Sequence, residues 1–419
     1  MSAINKRAAV ICISVPYPAS TGTRLRSQSV IQSLIAQGYK VTVIYPRDTH
    51  ESDSEIARQL GLEKAVSLPV TRRKLLMVQD YLKFFFRIKE NELPYSQLRL
   101  SFCAKKILRR FQKEEMYDVV VTEYSTATVI RSYIISKFYI LDTCDLMSIH
   151  NQKVRASQEA LSRWEDMGDP AFLELQFSET LDPVISEEEI AELKQYDAII
   201  AISDSEFQKI DSLHLEIPNY LISPCVATPT FEKTDYTGFP VFAYSTNIFN
   251  TQGLIHFINK LLPAIIRIIP EFKLLVTGNA PTEAVNCPYL VCLGFVNNIH
   301  DIYKSAGFSI IPTFGGTGQQ LKVPEVMSYS LAVVGYHQRI DRGILSDGIE
   351  GYLANNEEEF ITGVVKLWTD RELAETMGRN ARKKVSLDLS QESFNSAFRT
   401  VIMSLEASVQ CPEHASPSK

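Results

Sequence analysis

Gly315, Gly316, Gly318, Lys322 and Glu325 fall within one stretch, Phe314 to Tyr336, which reads FGGTGQQLKVPEVMSYSLAVVGY. Glycines tolerate positive φ and let backbone approach a ligand closely. Free amides at such a turn, and at the helix start that follows, attract anions. Lys322 adds a mobile ammonium, and Glu325 lies three residues on, along the same helix face. Together these groups suit a diphosphate with an attached ribose. The amides and Lys322 would meet the phosphates, while Glu325 accepts from ribose hydroxyls. The same pattern also fits an ordinary α/β connection, in which a first-turn Lys and Glu are simply solvated.

The elements that must position these residues are legible around them. FSIIPTF (Phe308 to Phe314) is an apolar run of the kind buried in a parallel sheet. Pro324 is tolerated only in a first helical turn, so the helix is expected to start near Lys322. Far upstream, Ala8 to Pro46 reads as a βαβ unit: strand AAVICISV, loop PYPASTGTRLR, helix SQSVIQSLIAQG and strand YKVTVIYP. Val30, Ile31, Leu34 and Ile35 give that helix its apolar spacing, and Gly38 ends it. The loop Pro16 to Arg26 lies at the carboxyl end of the first strand, where open parallel sheets bind ligands. Gly22 is the candidate there for close backbone approach, with Arg24 or Arg26 as candidate anion contacts; a surface role suits either arginine equally.

The central stretch, Gly-Thr-Gly-Gln-Gln-Leu-Lys-Val-Pro-Glu-Val-Met followed by a small-residue turn and Ala-Val-Val, resembles the donor-site loop of GT-B glycosyltransferases. The resemblance is to the family-4 retaining group, in its branch with a GGGTRLKxLEAM-type loop. P-x-P, small residues, Gly and Arg before the first helix resemble the first loop of the same enzymes. YDAIIAIS, Tyr196 to Ser203, resembles the family's aDxviaiS segment, and the order from Val241 to Val385 tracks the family throughout. The resemblance implies two Rossmann-like domains facing across a cleft. It assigns Lys322 and Glu325 to the catalytic site, and Gly22, Gly316, Thr317, Gly318, Gln319, Gln320 and Leu321 to the donor. Domain limits are expected at 1–225 and 226–392, with a crossover helix at 393–406 returning to the first domain and a disordered tail at 407–419.

The chain also departs from the family. Thr317 stands where many members carry the first of two glutamates, Gln320 where the branch has arginine, and STNIFNTQG lacks the usual arginine and lysine. Lys322 is then the one strong cation expected on the diphosphate, and Thr317, Gly318 and backbone amides are left to contact the sugar. An inactive or altered member would fit these losses too. FYILDTCDLMSIHNQK reads as a strand and its loop, and Asp142 and Asp145 at the strand's end are candidates for the acceptor or sugar side, as is Arg24. Cys144 occupies the place where the family often has histidine. His150, six residues on, reads as structural.

Composition narrows the partners. The 419 residues, 45% hydrophobic and 22% charged, suit two globular domains. A net charge of −6 argues against nucleic acid as the main partner. Seven scattered cysteines without a Cys-x-x-Cys read as reduced thiols in a cytoplasmic protein. MSAINKRAAVICISV reads as a first strand, not a signal peptide, and no stretch is apolar enough to span a bilayer. Thr71 to Lys89 joins six basic residues to Leu and Phe, which fits peripheral contact with the inner face of a membrane or a helix packed on its own domain.

The expected activity is transfer of a sugar from a nucleotide-sugar to a glycan, lipid-linked or small-molecule acceptor, with retention implied by the family. No cofactor and no essential metal are expected, since the chain has no Asp-x-Asp triplet and the family is generally metal-independent. Two other readings stay open. One is a sugar-nucleotide epimerase using Asp142 and Asp145 as acid and base; the other is a non-catalytic module binding nucleotide-sugar or a partner protein.

Overall fold

A computed structural model describes residues 6–19, 21–47, 51–69, 100–114, 116–169, 183–231 and 233–410. The basic stretch Thr71 to Lys89 lies outside the described residues, as does the tail beyond residue 410.

The first domain is built on seven parallel strands in the order β3-β2-β1-β4-β5-β6-β7. These are β1 (Arg7–Ile11), β2 (Lys40–Pro46), β3 (Lys64–Leu68), β4 (Met116–Glu123), β5 (Ile135–Asp142), β6 (Ala198–Ala201) and β7 (Asn219–Leu221). The connecting helices are α1 (Gly22–Ala36), α2 (Asp53–Leu60), α3 (Phe102–Glu114), α4 (Thr128–Arg131), α5 (Met147–Met167), α6 (Glu187–Leu193) and α7 (Asp204–Asp211). Apolar residues on both faces of the sheet explain why β1 and β6 read as unbroken hydrophobic runs. α1 begins five residues before the periodic run, because Thr21 caps it by accepting from the Arg24 amide. Ile35 is exposed, so the apolar stripe is one residue narrower than its spacing suggests.

Among the described residues neither helix nor strand occurs between β7 and the next strand, so the Pro-, Thr- and Gly-rich stretch Ser223 to Pro240 connects the two sheets. The second domain has six parallel strands in the order β10-β9-β8-β11-β12-β13: β8 (Val241–Phe242), β9 (Leu274–Thr277), β10 (Leu290–Gly294), β11 (Ser309–Ile311), β12 (Val333–Tyr336) and β13 (Gly351–Ala354). Its helices begin with α8 (Ile248–His256), which continues through a π-turn into α9 (Leu262–Ile268). Then come α10 (Thr282–Val285), α11 (Ile299–Ser305), α12 (Lys322–Ser328), α13 (Glu357–Thr369) and α14 (Arg371–Asp388). β11 is shorter than the run FSIIPTF: Pro312 has no N–H for the ladder, although burial continues to Phe314.

α15 (Gln391–Gln410) crosses back to the first domain, where Phe394, Phe398, Val401, Ile402 and Leu405 join the core formed by α1 and β1. It begins before the expected position and runs through 407–410, residues that the sequence assigns to the tail. A second apolar contact joins the domains: Leu161 and Trp164 of α5 pack on Ile248 and Ile255 of α8.

Candidate active site

In both sheets the chain order reverses beside the first strand, between β1 and β4 and between β8 and β11. Open parallel sheets bind ligands at that reversal, outside the carboxyl ends of the strands. In the second domain the loops leaving β8 and β11 meet there. Lys322 opens α12, and its Nζ donates to Ser245 Oγ at 2.9 Å, on the β8 loop. Ser245 also accepts from Asn250 Nδ2 at 2.8 Å, and Asn250 Oδ1 accepts from Thr313 at 3.1 Å. A hydrogen-bonded chain therefore holds the ammonium in place, with the Phe242 ring 5.7 Å away. Burial pushes Lys322 down to about 8, against the opposing pull of nearby Glu325. Burial also raises Glu325, which lies beside Lys322 and Tyr303.

Leu321 supplies no side-chain cap, and α12 has only seven residues, so individual amides matter more here than a helix dipole. Among the described residues the amides of Gly316, Thr317, Gly318, Gln319 and Gln320 have no protein acceptor. The side-chain nitrogens of Gln319 and Gln320 are likewise buried and unpartnered. Gly316 and Gly318 have φ of 114° and 61°, the left-handed side that a side chain resists. The loop is thus rich in spare donors, as a phosphate site requires.

The loop carbonyls, by contrast, are occupied by residues that the sequence reading missed. Arg339, just beyond β12, donates from Nη1 to Gly318 O at 2.6 Å and from Nη2 to Thr317 O at 2.9 Å. Lys153 of α5 donates to Gly316 O at 2.9 Å. The loop side chain is tied across the cleft too: Thr317 donates to Asp145 Oδ2 at 2.7 Å. His150 Nδ1 lies 2.8 Å from Thr317 Oγ1 and 2.9 Å from Asp145 Oδ2. His150 and Lys153 stand at i and i+3 on the helix following Asp145, a spacing visible in the sequence.

Gly22 opens α1, and a methyl group on it would sit 2.2 Å from Leu321 Cδ1, so the two predicted donor loops do meet. Arg24 donates from its guanidinium to the Pro18 carbonyl at 3.5 Å. Asp142 is a correction to the sequence reading. It is fully buried, forked by Arg26 at 2.7 and 3.1 Å, and does not face the cleft. Arg26 is buried with it, donating also to Ile222 O at 2.9 Å, so neither residue meets an anion in the cleft. His150, expected as structural, lies between Asp145 and Thr317 where the two domains meet.

Two parallel-sheet domains joined by a linker and a returning helix are the architecture of the GT-B fold. Residues 240–370, all within the second domain, match the family model described as glycosyl transferases group 1. The protein is a GT-B protein whose second domain carries the glycosyl transferases group 1 signature. Across 372 residues it is 26% identical to a protein of Klebsiella pneumoniae named "Uncharacterized 44.6 kDa protein in cps region", covering 84% of this chain and 86% of that one. Solved structures of the same fold include sucrose-phosphate synthase from Thermosynechococcus elongatus, with a TM-score of 0.64 and 14% identity over 96% of this chain and all of that one. TarM gives a TM-score of 0.65 at 9% identity, and Anabaena HepE in complex with UDP and glucose gives 0.60 at 11%; each match covers 96% of this chain and 100% of the other.

Proposed function

We propose that the protein transfers a sugar from a nucleotide-sugar donor to a glycan, lipid-linked or small-molecule acceptor, with retention of configuration, in the setting of polysaccharide assembly. The observation that carries this reading is Lys322, held by Ser245 beside a glycine loop whose amides lack protein acceptors. When the glycosidic bond breaks, negative charge grows on the departing diphosphate. Preorganised donors and a fixed ammonium in a partly dry site stabilise that charge without reorganising. Glu325, three residues on, accepts from the ribose. The UDP and glucose named for the HepE complex, and the cps region named for the Klebsiella relative, support a sugar donor and a glycan product. No divalent ion is needed if Lys322 and the amides take the charge.

The epimerase reading loses one of its two carboxylates, because the Arg26 fork consumes Asp142. Product analysis with UDP-, GDP- and ADP-sugars decides among the three readings. Transfer or hydrolysis supports a transferase, and an isomeric sugar-nucleotide an epimerase. Binding without turnover leaves a non-catalytic module.

A further inference from the structure

A cationic cavity lies where the stretch connecting the two sheets folds onto the helices of the second domain. Its volume is about 350 Å³, and it is lined by Thr230, Phe231 and Lys233 of that stretch, Ser330 beyond α12, and Arg379 and Arg382 of α14. We infer that this cavity binds the phosphate group of a small ligand, at a site separate from the glycine loop. Three cations converge on it, and among the described residues no carboxylate lines it. α12 separates the two sites: Lys322 opens the helix and Ser330 lies two residues beyond its end. Seven helical residues span about 10 Å, so one phosphate does not reach both.

The cations are fixed in place but not used up. Arg379 and Arg382 stand at i and i+3, on one face of α14. Arg382 gives one nitrogen to Ser328 O at 3.3 Å and another to Pro229 O. Arg379 pairs with Glu375 at 2.6 Å, but the two side chains are 60% and 37% exposed, so the pair costs little to loosen. Lys233 is 3% exposed and donates to Tyr303 O at 3.3 Å and Lys304 O at 2.5 Å. An ammonium has three N–H groups and a guanidinium five, so these carbonyls take only part of each. Burial pushes Lys233 down to about 8 against the pull of Asp235, and an arriving anion would relieve that desolvated charge. Tyr236 stands beside Ser330 and Arg379, with the Lys233 ammonium 5.0 Å from its ring. Its buried hydroxyl makes no hydrogen bond of good geometry. A polar group left over beside converging cations is one that a ligand oxygen can satisfy.

The chemistry of the wall selects the group. A doubly charged phosphate gains more from three cations than a carboxylate does, and forked guanidiniums match its oxygens. The volume falls at the small end of small-molecule sites, which run from about 300 to 1,000 Å³. Phe231 gives the cavity an apolar side, with its ring edge-on to His300 at 4.8 Å, and Thr230 and Ser330 add hydroxyls. Free phosphate and a phosphorylated sugar share the group that is recognised, and the second also fills the space beside it.

The test is calorimetric titration of the full chain carrying Lys322→Ala, so that the glycine loop has lost its ammonium. The probes are inorganic phosphate, glucose 1-phosphate and free glucose. A phosphate probe should bind with a Kd of about 1 mM or tighter, and free glucose should not bind. Tighter binding of glucose 1-phosphate than of inorganic phosphate identifies a phosphorylated sugar as the ligand, whereas equal binding identifies the free ion. Arg379→Gln, at an exposed side chain, and Lys233→Met, which keeps the buried stem, are each added to Lys322→Ala. Each should weaken binding about tenfold or more, the loss of one charged hydrogen bond. If Lys233→Met fails to fold, Arg379→Gln decides alone. Excess uridine diphosphate should not displace the bound probe. No binding of either phosphate probe, unchanged affinity in Arg379→Gln, or displacement by uridine diphosphate would overturn the proposal. None of these outcomes depends on whether the protein transfers a sugar.

Discussion

The carboxyl edges of the two sheets are built from similar residue types and use them in opposite ways. In the first domain the charges are nearly all spent on the fold. Asp142 is forked by Arg26; Glu189 accepts from Ser125 and the Met147 and Ser148 amides; Glu206 accepts from Thr143 and the Leu146 and Ile202 amides. Burial pushes Glu206 and Glu123 up to about 8. In the second domain Lys322 has a single hydroxyl partner, and Gln319 and Gln320 hold unused amide nitrogens. A saturated charge holds loops together, whereas an unsaturated one at a cleft is available to a ligand.

That contrast can be broken by mutation, most severely in the first domain. Asp142→Ala leaves Arg26 buried without its counter-charge, which costs about 3–5 kcal/mol. Urea unfolding should show the loss, while Asp145→Asn, three residues away at the cleft, should unfold close to wild type. If both variants unfold alike, the division between fold and site is wrong.

Next in size is Lys322→Ala. Its contact strengthens as charge develops on the diphosphate, so kcat should fall by about 10²–10³, or about 2.7–4 kcal/mol. Thermal melts should be unchanged. Unaltered kcat in a folded variant would mean that the glycine loop is not the donor site.

Glu325→Gln tests the third group. The ribose does not change during reaction, so its contact binds ground and transition states alike. Losing a charged hydrogen bond costs about 1.5–3 kcal/mol, and it should appear in KM with kcat nearly constant. A fall confined to kcat would reverse the roles assigned to the two residues.

The smallest effect expected near neutral pH concerns proton uptake. Burial holds the free-enzyme Lys322 near 8, and only the ammonium attracts diphosphate. Nucleoside diphosphate affinity should therefore be level below pH 8 and weaken above it, approaching about tenfold per pH unit. Calorimetry in buffers of different ionisation enthalpy should show protein proton uptake on binding above pH 8. Lys322→Arg should flatten the curve, because its guanidinium stays charged. A wild-type curve level from pH 7 to 10 would place another cation on the phosphate.

Much of this protein was determined by sequence acting locally. The strand–helix alternation follows from apolar runs and helical spacing, and the link follows from Pro and Gly. Pro324 fixes the start of α12 because its ring is tolerated only in a first turn. Lys322 and the glycines are therefore legible as a candidate site, since their spacing alone sets the turn and the helix face. What surrounds them was decided by the tertiary structure. Asp142 and Asp145 look equivalent in the chain, yet one meets an arginine 116 residues away and the other a threonine 172 away. His150 looks structural until that same threonine, 167 residues on, fixes its ring, and Arg339 has no local sign that it will grip the glycine loop. Propensity and spacing act over one or two turns of chain, whereas the fate of a charge depends on which groups the packed domains bring within about 3 Å of it.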